Sequence, residues 1–143
     1  MGVDRRGRAG VGVDQAQTLT IRAISPAEAL AGLGDLSRLD PRGAMTAADM
    51  RAMVEGGRCF ALDSASGAAV WVLRDMGAVC WVDALRGAGS LDLTDIADKV
   101  MTEQARGFDA LAMQTARPGL RRKLERKGWR VTGWVMRKDL KHD

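Results

Sequence analysis

Three short segments of alternating polarity, separated by two tight turns, constrain the fold of this chain more than any other feature. The segments cover residues 58–64, 68–74 and 78–85. The turns between them are Ser64–Gly67 and Asp75–Gly77. Alternation with such short connections predicts three antiparallel strands in a meander. A meander needs other elements to cover its apolar faces, so the flanking segments should supply helices.

The segment before the meander predicts one strand and two helices. Residues 18–24 alternate in polarity and predict a half-buried strand. Ser25 and Pro26 are a typical N-cap and first helical residue for the first helix. Thr46 is the expected N-cap of the second helix. Residues 1–17 are rich in Gly, Asp and Arg without any period, and they predict a flexible arm ahead of a domain over residues 18–143.

The segment after the meander alternates between helices and strands. A glycine-rich loop, Arg86–Ser90, leads into the most amphipathic helix of the chain, predicted over residues 92–106. A strand over 109–115, a basic helix over 117–127 and a last strand over 129–138 follow. The expected class is therefore α/β (α+β): a single domain whose mixed, mostly antiparallel central sheet is flanked by about four helices.

Length and composition exclude several classes of protein. A chain of 143 residues suits one domain. No apolar run is long enough for a membrane span, and the N-terminus lacks the apolar stretch of a secretory signal. Cys59 and Cys80 are too few for a disulfide framework, and no group of His, Cys and carboxylates has metal-ligand spacing. We expect a soluble intracellular protein without a metal, with both cysteines in the core.

The charge is distributed unevenly along the chain. Residues 117–143 carry a net charge of +7 and residues 83–109 a net charge of −3. Arginine is abundant at 17 residues while Asn and Tyr are absent, a bias typical of a GC-rich genome, so the high isoelectric point is weak evidence for nucleic-acid binding. A basic patch is expected on the helix near the C-terminus, at Arg117, Arg121, Arg122, Arg126 and Lys127. It is a solvated face, a phosphate-binding surface or a docking surface for an acidic partner.

The Arg86–Ser90 loop is the strongest candidate for a binding site. A glycine-rich turn at a helix N-terminus leaves N–H groups pointing outward, and the helix dipole adds partial positive charge. Arg86 contributes a full charge, so the segment is suited to a pyrophosphate. The alternative is a glycine turn required only by the geometry of the strand-to-helix connection.

The element order, this loop and the C-terminal pattern together resemble the GNAT (Gcn5-related N-acetyltransferase) fold over about residues 18–140. The C-terminal part of the resemblance rests on Leu120, on Leu124-Glu125-Arg126-Lys127-Gly128-Trp129 and on Arg137-Lys138-Asp139-Leu140. The resemblance implies that acetyl-CoA binds at Arg86, Gly87, Ala88, Gly89 and Ser90. The family pattern Gln/Arg-x-x-Gly-x-Gly/Ala is matched at Arg86 and Gly89, and Leu91 occupies its sixth position.

The resemblance also directs the search for a catalytic base. Many family members use a strand Glu and a Tyr, but this chain has no Tyr and its meander offers only aspartates. Asp83 is the candidate base, because it lies near the end of its strand beside the loop. The alternative for Asp83 is an exposed or ion-paired carboxylate. A base is not indispensable, since positioning and proton loss through water can support the transfer.

Two functions follow from this resemblance. One is a GNAT-like N-acyltransferase, phage-encoded and with a degenerate acetyl-CoA motif. The other is a catalytically inactive GNAT-fold protein of a tailed-phage virion that acts by contacting other virion proteins, because the chain also resembles the small GNAT-like proteins of tailed phages. Nucleic-acid binding through the basic patch ranks third. The expected location is the bacterial cytoplasm or a virion assembled there.

Overall fold

The computed structural model describes residues 19–40, 45–89, 93–115 and 117–140. Its elements, in chain order, are β1 (Thr20–Ile24), α1 (Pro26–Leu33), a 3₁₀ turn (Leu36–Arg38), α2 (Ala47–Glu55), β2 (Arg58–Ser64), β3 (Gly67–Met76), β4 (Val79–Gly89), α3 (Leu93–Gln104), β5 (Ala110–Met113) and α4 (Pro118–Glu125). The predicted α/β class is confirmed. The expected arm over residues 1–17 lies outside the described residues.

The first two helices begin where their capping residues predict. The Ser25 side chain accepts a hydrogen bond from the Glu28 N–H, and Pro26 opens α1. Thr46 and Asp49 form a reciprocal capping box at the start of α2. Each cap satisfies backbone N–H groups that have no partner within the helix, and this defines the helix start.

The five strands form one sheet in the order β1-β2-β3-β4-β5. The first four are antiparallel neighbours, as the meander predicts. β5 is parallel to β4, and the two pair only over Val79–Val82 and Ala110–Met113. Their pairing ends at Val82, and β4 continues to Gly89 without β5 beside it.

One residue of β4 breaks the regular register. Val82 pairs with Leu73 and Ala84 pairs with Val72, so Asp83 is an extra residue without a partner in β3. Such a bulge reverses the alternation of side chains between the two faces of a strand. Val82 accordingly packs in the core under α3, whereas Ala84 packs in the core under α1 and α2.

The core therefore has two layers, one on each face of the sheet. Trp71 and Met101 are buried between the sheet and α3, and Leu33 and Val54 are buried on the α1 and α2 side. The predicted burial of Cys59 and Cys80 is confirmed. Burial raises the pKa of both thiols, which keeps them in the neutral form.

Two predictions for the C-terminal half, one loop and one strand, are wrong. The segment from Arg86 to Gly89, expected as a loop, continues β4 because it stays paired with β3, from Val70–Arg86 to Gly67–Gly89. Ser90 lies outside the described residues. The last strand, expected over 129–138, is also not formed, since residues 129–140 are in no strand.

Trp71 and Trp81 lie on neighbouring strands but not opposite one another. Trp71 lies opposite Leu85 on β4 and stacks on Phe60 of β2, with ring centroids 6.0 Å apart. Trp81 lies opposite Arg74. The register set at the turn is responsible, because it places Trp81 opposite Arg74, three residues along β3 from Trp71. Within the described ranges, no helix is long and apolar enough to cross a membrane.

Candidate functional site

A cavity of about 420 Å³ lies beyond the point where β4 and β5 cease to pair. Its wall is formed by the second half of β4, the first half of α3 and the basic helix α4. The lining residues are Ala69, Leu85, Gly87, Ala88, Gly89, Leu93, Thr94, Ala97, Arg117, Leu120 and Lys123. This volume falls within the range of small-molecule sites, and small side chains on β4 keep its floor open.

Two glycines of β4 are required by close packing around this cavity. A Cβ added to Gly87 would lie 2.6 Å from Cδ1 of Leu93, so Gly87 lets the start of α3 approach the sheet. Gly89 has φ +124°, and a Cβ there would lie 2.3 Å from the carbonyl oxygen of Ser66. Backbone geometry alone is therefore enough to require glycine at position 89. This is the alternative to ligand binding that the sequence analysis left open. Gly87 and Gly89 nonetheless line the cavity, as the resemblance implies.

The edge of β4 that faces away from β3 is open along this cavity. Its pairing with β5 ends at Val82, and no strand within the described part of the chain continues that pairing toward Gly89. The N–H and C=O groups on this edge are therefore free of strand partners. An extended ligand that carries amide groups can pair with such an edge as an added strand does.

The positive charge at the cavity comes from α4. Arg117 immediately precedes the helix and Lys123 lies within it, and both line the cavity. The other residues of the predicted basic patch point elsewhere. Arg121 pairs with Glu125 at 3.5 Å, and Lys127 donates to Asp95 of α3 at 2.6 Å. Exposed Arg122 and Arg126 are not in the lining.

Arg86 does not direct its charge into the cavity. Its Nη1 donates to the carbonyl oxygen of Leu33 at 2.7 Å, at the C-terminal end of α1. Gly34 has φ +68°, and a Cβ there would lie 2.5 Å from the same Nη1, so glycine is needed for this contact. Arg86 shares its face of the sheet with Ala84, opposite the face of Leu85. The cations that line the cavity are instead Arg117 and Lys123, of which the sequence analysis singled out only Arg117, and phosphate binding by Arg86 stays a prediction.

Asp83, the candidate base, is held by an arginine. Its two carboxylate oxygens accept hydrogen bonds from Nε and Nη2 of Arg74 at 2.7 and 3.0 Å. Its side chain is only 5% exposed, and it is not among the lining residues. This is the ion-paired alternative of the sequence analysis. A catalytic role for Asp83 stays a prediction.

Two hydrogen bonds fix α4 against α3 and so place its cations. The Lys127 ammonium contacts Asp95, and the Trp129 indole Nε1 donates to Asp98 at 2.7 Å. The contact with Lys127 is the main cause of a lowered pKa at Asp95. Asp95 and Asp98 are three residues apart and thus share one helix face, the signal by which sequence reasoning could have found this contact. Trp129, part of the C-terminal pattern of the sequence analysis, is half-buried in this contact.

The lining offers binding groups and no acid–base pair. The described residues around the cavity include no carboxylate, thiol or imidazole. Among the described residues, no three His, Cys, Asp or Glu side chains are grouped so that they could hold a metal ion. The site can bind an anionic, amide-containing ligand and orient it along β4.

Of the comparisons with known proteins, the one with solved structures bears on the fold. A scan against models of known protein families and a search of curated proteins give no match. Among solved structures, the chain is similar to the IAA acetyltransferase from Bacillus cereus ATCC 14579, with a TM-score of 0.57 and 18% identity over 78% of this chain and 75% of that one. It is similar to the aminoglycoside N-acetyltransferase AAC(6')-Iy in complex with CoA, with a TM-score of 0.56 and 17% identity over 91% and 99% of the two chains.

A third similar structure is the ribosomal-protein-alanine N-acetyltransferase from Brucella melitensis biovar Abortus 2308, with a TM-score of 0.53 and 13% identity over 87% of this chain and 100% of that one. The chain therefore has the fold of these acetyltransferases. The resemblance to the GNAT fold is confirmed at that level. The relation to phage proteins stays a prediction.

Proposed function

We propose that this protein is an acyl-CoA-dependent N-acyltransferase and that the cavity between β4, α3 and α4 binds the acyl donor. The observation that carries the proposal is the open edge of β4 running along a cavity with two cations, Arg117 and Lys123, on its far wall. The fold of acetyltransferases supports the same assignment.

The residues present fit the chemistry of acetyl-CoA, the expected donor substrate. CoA combines phosphate groups with an extended arm that contains two amides and ends in a thioester. Arg117 and Lys123 suit the phosphates, because cations on a partly closed wall hold phosphate by charge-assisted hydrogen bonds. The unpaired edge of β4 suits the amides, since an extended chain can add to it as a strand does. Gly87 and Ala88 leave room for that approach.

The catalytic contribution of these residues is positioning. In acyl transfer to an amine, the C–N bond forms and the C–S bond breaks, while the amine proton leaves and the thiolate takes up a proton. Holding the thioester beside the amine supplies much of the rate increase. The described lining holds no general base, and proton loss to water suits a transfer that depends on positioning. Asp83 stays a candidate base whose carboxylate would first have to leave Arg74.

Calorimetric titration with acetyl-CoA tests the proposal. The unmodified chain should bind with micromolar affinity. Lys123→Glu and Arg117→Glu should each weaken binding by about tenfold, because each replaces a cation at the cavity with an anion. Arg122→Glu is the matched control: it makes the same charge change on α4 outside the lining and should alter the affinity much less.

Either of two results would contradict the assignment. One is no binding at millimolar acetyl-CoA. The other is equal loss of affinity in Arg122→Glu and Lys123→Glu, which would mean that only overall charge matters. The inactive virion protein of the sequence analysis stays a prediction, and failure to bind CoA would favour it.

A further inference from the structure

Arg74 and Asp83 form an ion pair at the point where β4 loses its partner β5. Asp83 directly follows Val82, the last residue of β4 that pairs with β5. Its carboxylate accepts hydrogen bonds from Nε and Nη2 of Arg74 at 2.7 and 3.0 Å. The Asp83 side chain is 5% exposed, whereas the Arg74 side chain is 44% exposed. A buried acid therefore holds an arginine that solvent and ligands can reach.

The unused edge of the Arg74 guanidinium is the feature that points to a ligand. Arginine presents N–H donors along the edges of one plane, and Asp83 takes the edge formed by Nε and Nη2. Within the described part of the chain, Asp83 is the sole hydrogen-bond and ion-pair partner of Arg74. The edge formed by Nη1 and Nη2 is thus free, and its geometry matches the paired oxygens of a carboxylate. Because Asp83 fixes the guanidinium plane, part of the ordering needed for binding is already present.

This ion pair and the donor cavity lie on opposite faces of the sheet and meet at one gap. Leu85 lines the cavity. Leu73 packs under α3, so by alternation its neighbour Arg74 lies on the other face. Beyond Val82, hydrogen bonds to β5 no longer close the sheet. A thioester bound along β4 is therefore accessible through this gap to an amine held beside Arg74 and Asp83.

We propose that Arg74 binds the carboxylate of the acyl acceptor, so that the acceptor is an amino acid or another amine with a neighbouring carboxylate. The inference rests on the proposed acyl transfer and names its second substrate. The ammonium group of such a zwitterion lies within reach of Asp83. Its attraction to Asp83 offsets the repulsion between the two carboxylates, which a plain carboxylic acid would leave uncompensated.

Trp81 adds an apolar wall beside the ion pair. It lies opposite Arg74 on β3 and opposite Ala112 on β5, and it is half-buried. Residues paired across strands place their side chains on the same face of a sheet. An indole next to a carboxylate-binding arginine suits an amino acid with an apolar side chain.

Asp83 is then a positioning residue for Arg74 and does not act as a base. The ammonium group of the amino acid gives up two protons as the C–N bond forms and the C–S bond breaks. The thiolate takes up one of these protons and water the other. The carboxylate stays on Arg74 throughout and is not changed by the reaction.

Thiol release from acetyl-CoA, catalysed by the full chain, tests the inference. The acceptors are the common amino acids and the matched amines that lack the carboxylate, such as leucine against 3-methylbutylamine and phenylalanine against 2-phenylethylamine. We expect kcat/KM for the apolar amino acids to be at least about tenfold above that for the matched amines. Calorimetric titration of the same preparation with acetyl-CoA measures donor binding separately.

Three variants assign this preference to the ion pair. Arg74→Lys keeps the charge without the planar fork, so it should lower the ratio of the two kcat/KM values at least about tenfold. Asp83→Asn should lower the same ratio, because the plane of Arg74 is no longer fixed, whereas loss of a base would slow both acceptors equally. Arg58→Lys is the matched control. Arg58 pairs with Asp75 at 2.6 Å, is 41% exposed and lies at the start of β2, so its substitution should leave the ratio unchanged.

The results separate this inference from the proposed function. No binding of acetyl-CoA would remove both. Binding of acetyl-CoA without acetylation of any amino acid, or with equal kcat/KM for amino acids and matched amines, would overturn the inference alone. A preference that survives Arg74→Lys would mean that another residue binds the carboxylate. Equal slowing of both acceptors in Asp83→Asn would make Asp83 a base and overturn its positioning role.

Discussion

Replacing Arg86 with methionine should separate the stability of the fold from ligand binding. The guanidinium donates to the carbonyl oxygen of Leu33, whose side chain is fully buried at the end of α1. A hydrogen bond from a charged donor contributes about 1.5 to 3 kcal/mol, and methionine keeps the apolar stem without the donor. Arg86→Met should therefore lower the free energy of unfolding by about 1.5 to 3 kcal/mol, measured by urea denaturation. The affinity for acetyl-CoA should change little, because Arg86 is not in the cavity lining.

Two further variants complete this comparison. Arg51→Met makes the same side-chain change at an exposed position of α2 and should leave the stability within about 0.5 kcal/mol of the unmodified chain. Lys123→Met should show the opposite pattern to Arg86→Met: weaker binding with nearly unchanged stability. If Arg86→Met instead weakened acetyl-CoA binding by tenfold without loss of stability, the guanidinium would serve the cavity, and the assignment of its role to α1 would be refuted.

Two other predictions concern contacts on α3. Lys127→Met should raise the pKa of Asp95 toward its ordinary value, as followed by NMR titration, because the hydrogen bond from Lys127 is the main cause of its lowered pKa. A carboxyl group whose pKa is lower in the folded state stabilises the fold at pH values above its pKa in the unfolded chain. This contribution is lost as the pH falls through the pKa of the folded state. The variant should therefore lose less stability than the unmodified chain on acidification from pH 5 to 2, and an identical acid-unfolding profile would speak against the contact. The Trp71 indole donates to the Gln104 side chain at 2.9 Å. Gln104→Met should lower the free energy of unfolding by about 1 kcal/mol, because it leaves a buried N–H without an acceptor. The same substitution in a Trp71→Phe background should cost much less, and strictly additive effects in this double-mutant cycle would exclude the bond.

Local signals in the chain predicted most of the fold correctly. Ser25 and Thr46 cap their helices as expected, and the turns at Ser64–Gly67 and Asp75–Gly77 connect antiparallel strands. These features depend on residues within a few positions of one another, so their chemistry is readable without the rest of the molecule. The class of the fold followed from the order of the elements.

The candidate site was predicted only in part. Gly87, Ala88 and Gly89 line the cavity as expected, and so does Arg117. The residues that sequence reasoning missed, Lys123 above all, belong to α4 and reach the cavity only because that helix packs on α3. No local pattern distinguishes Lys123 from exposed Arg122 beside it.

The sequence by itself determined where the first two helices and the three strands of the meander begin, and that a glycine-rich segment precedes α3. Tertiary structure alone decided which side chains meet. The extra residue at Asp83 reverses the faces of β4, and this sends Arg86 to α1 and leaves Leu85 and Gly87 facing the cavity. Tertiary structure also left residues 129–138 unpaired although their pattern favours a strand. The physical reason is the same in both cases: strand pairing and facing depend on register with a distant partner, which a local pattern does not contain.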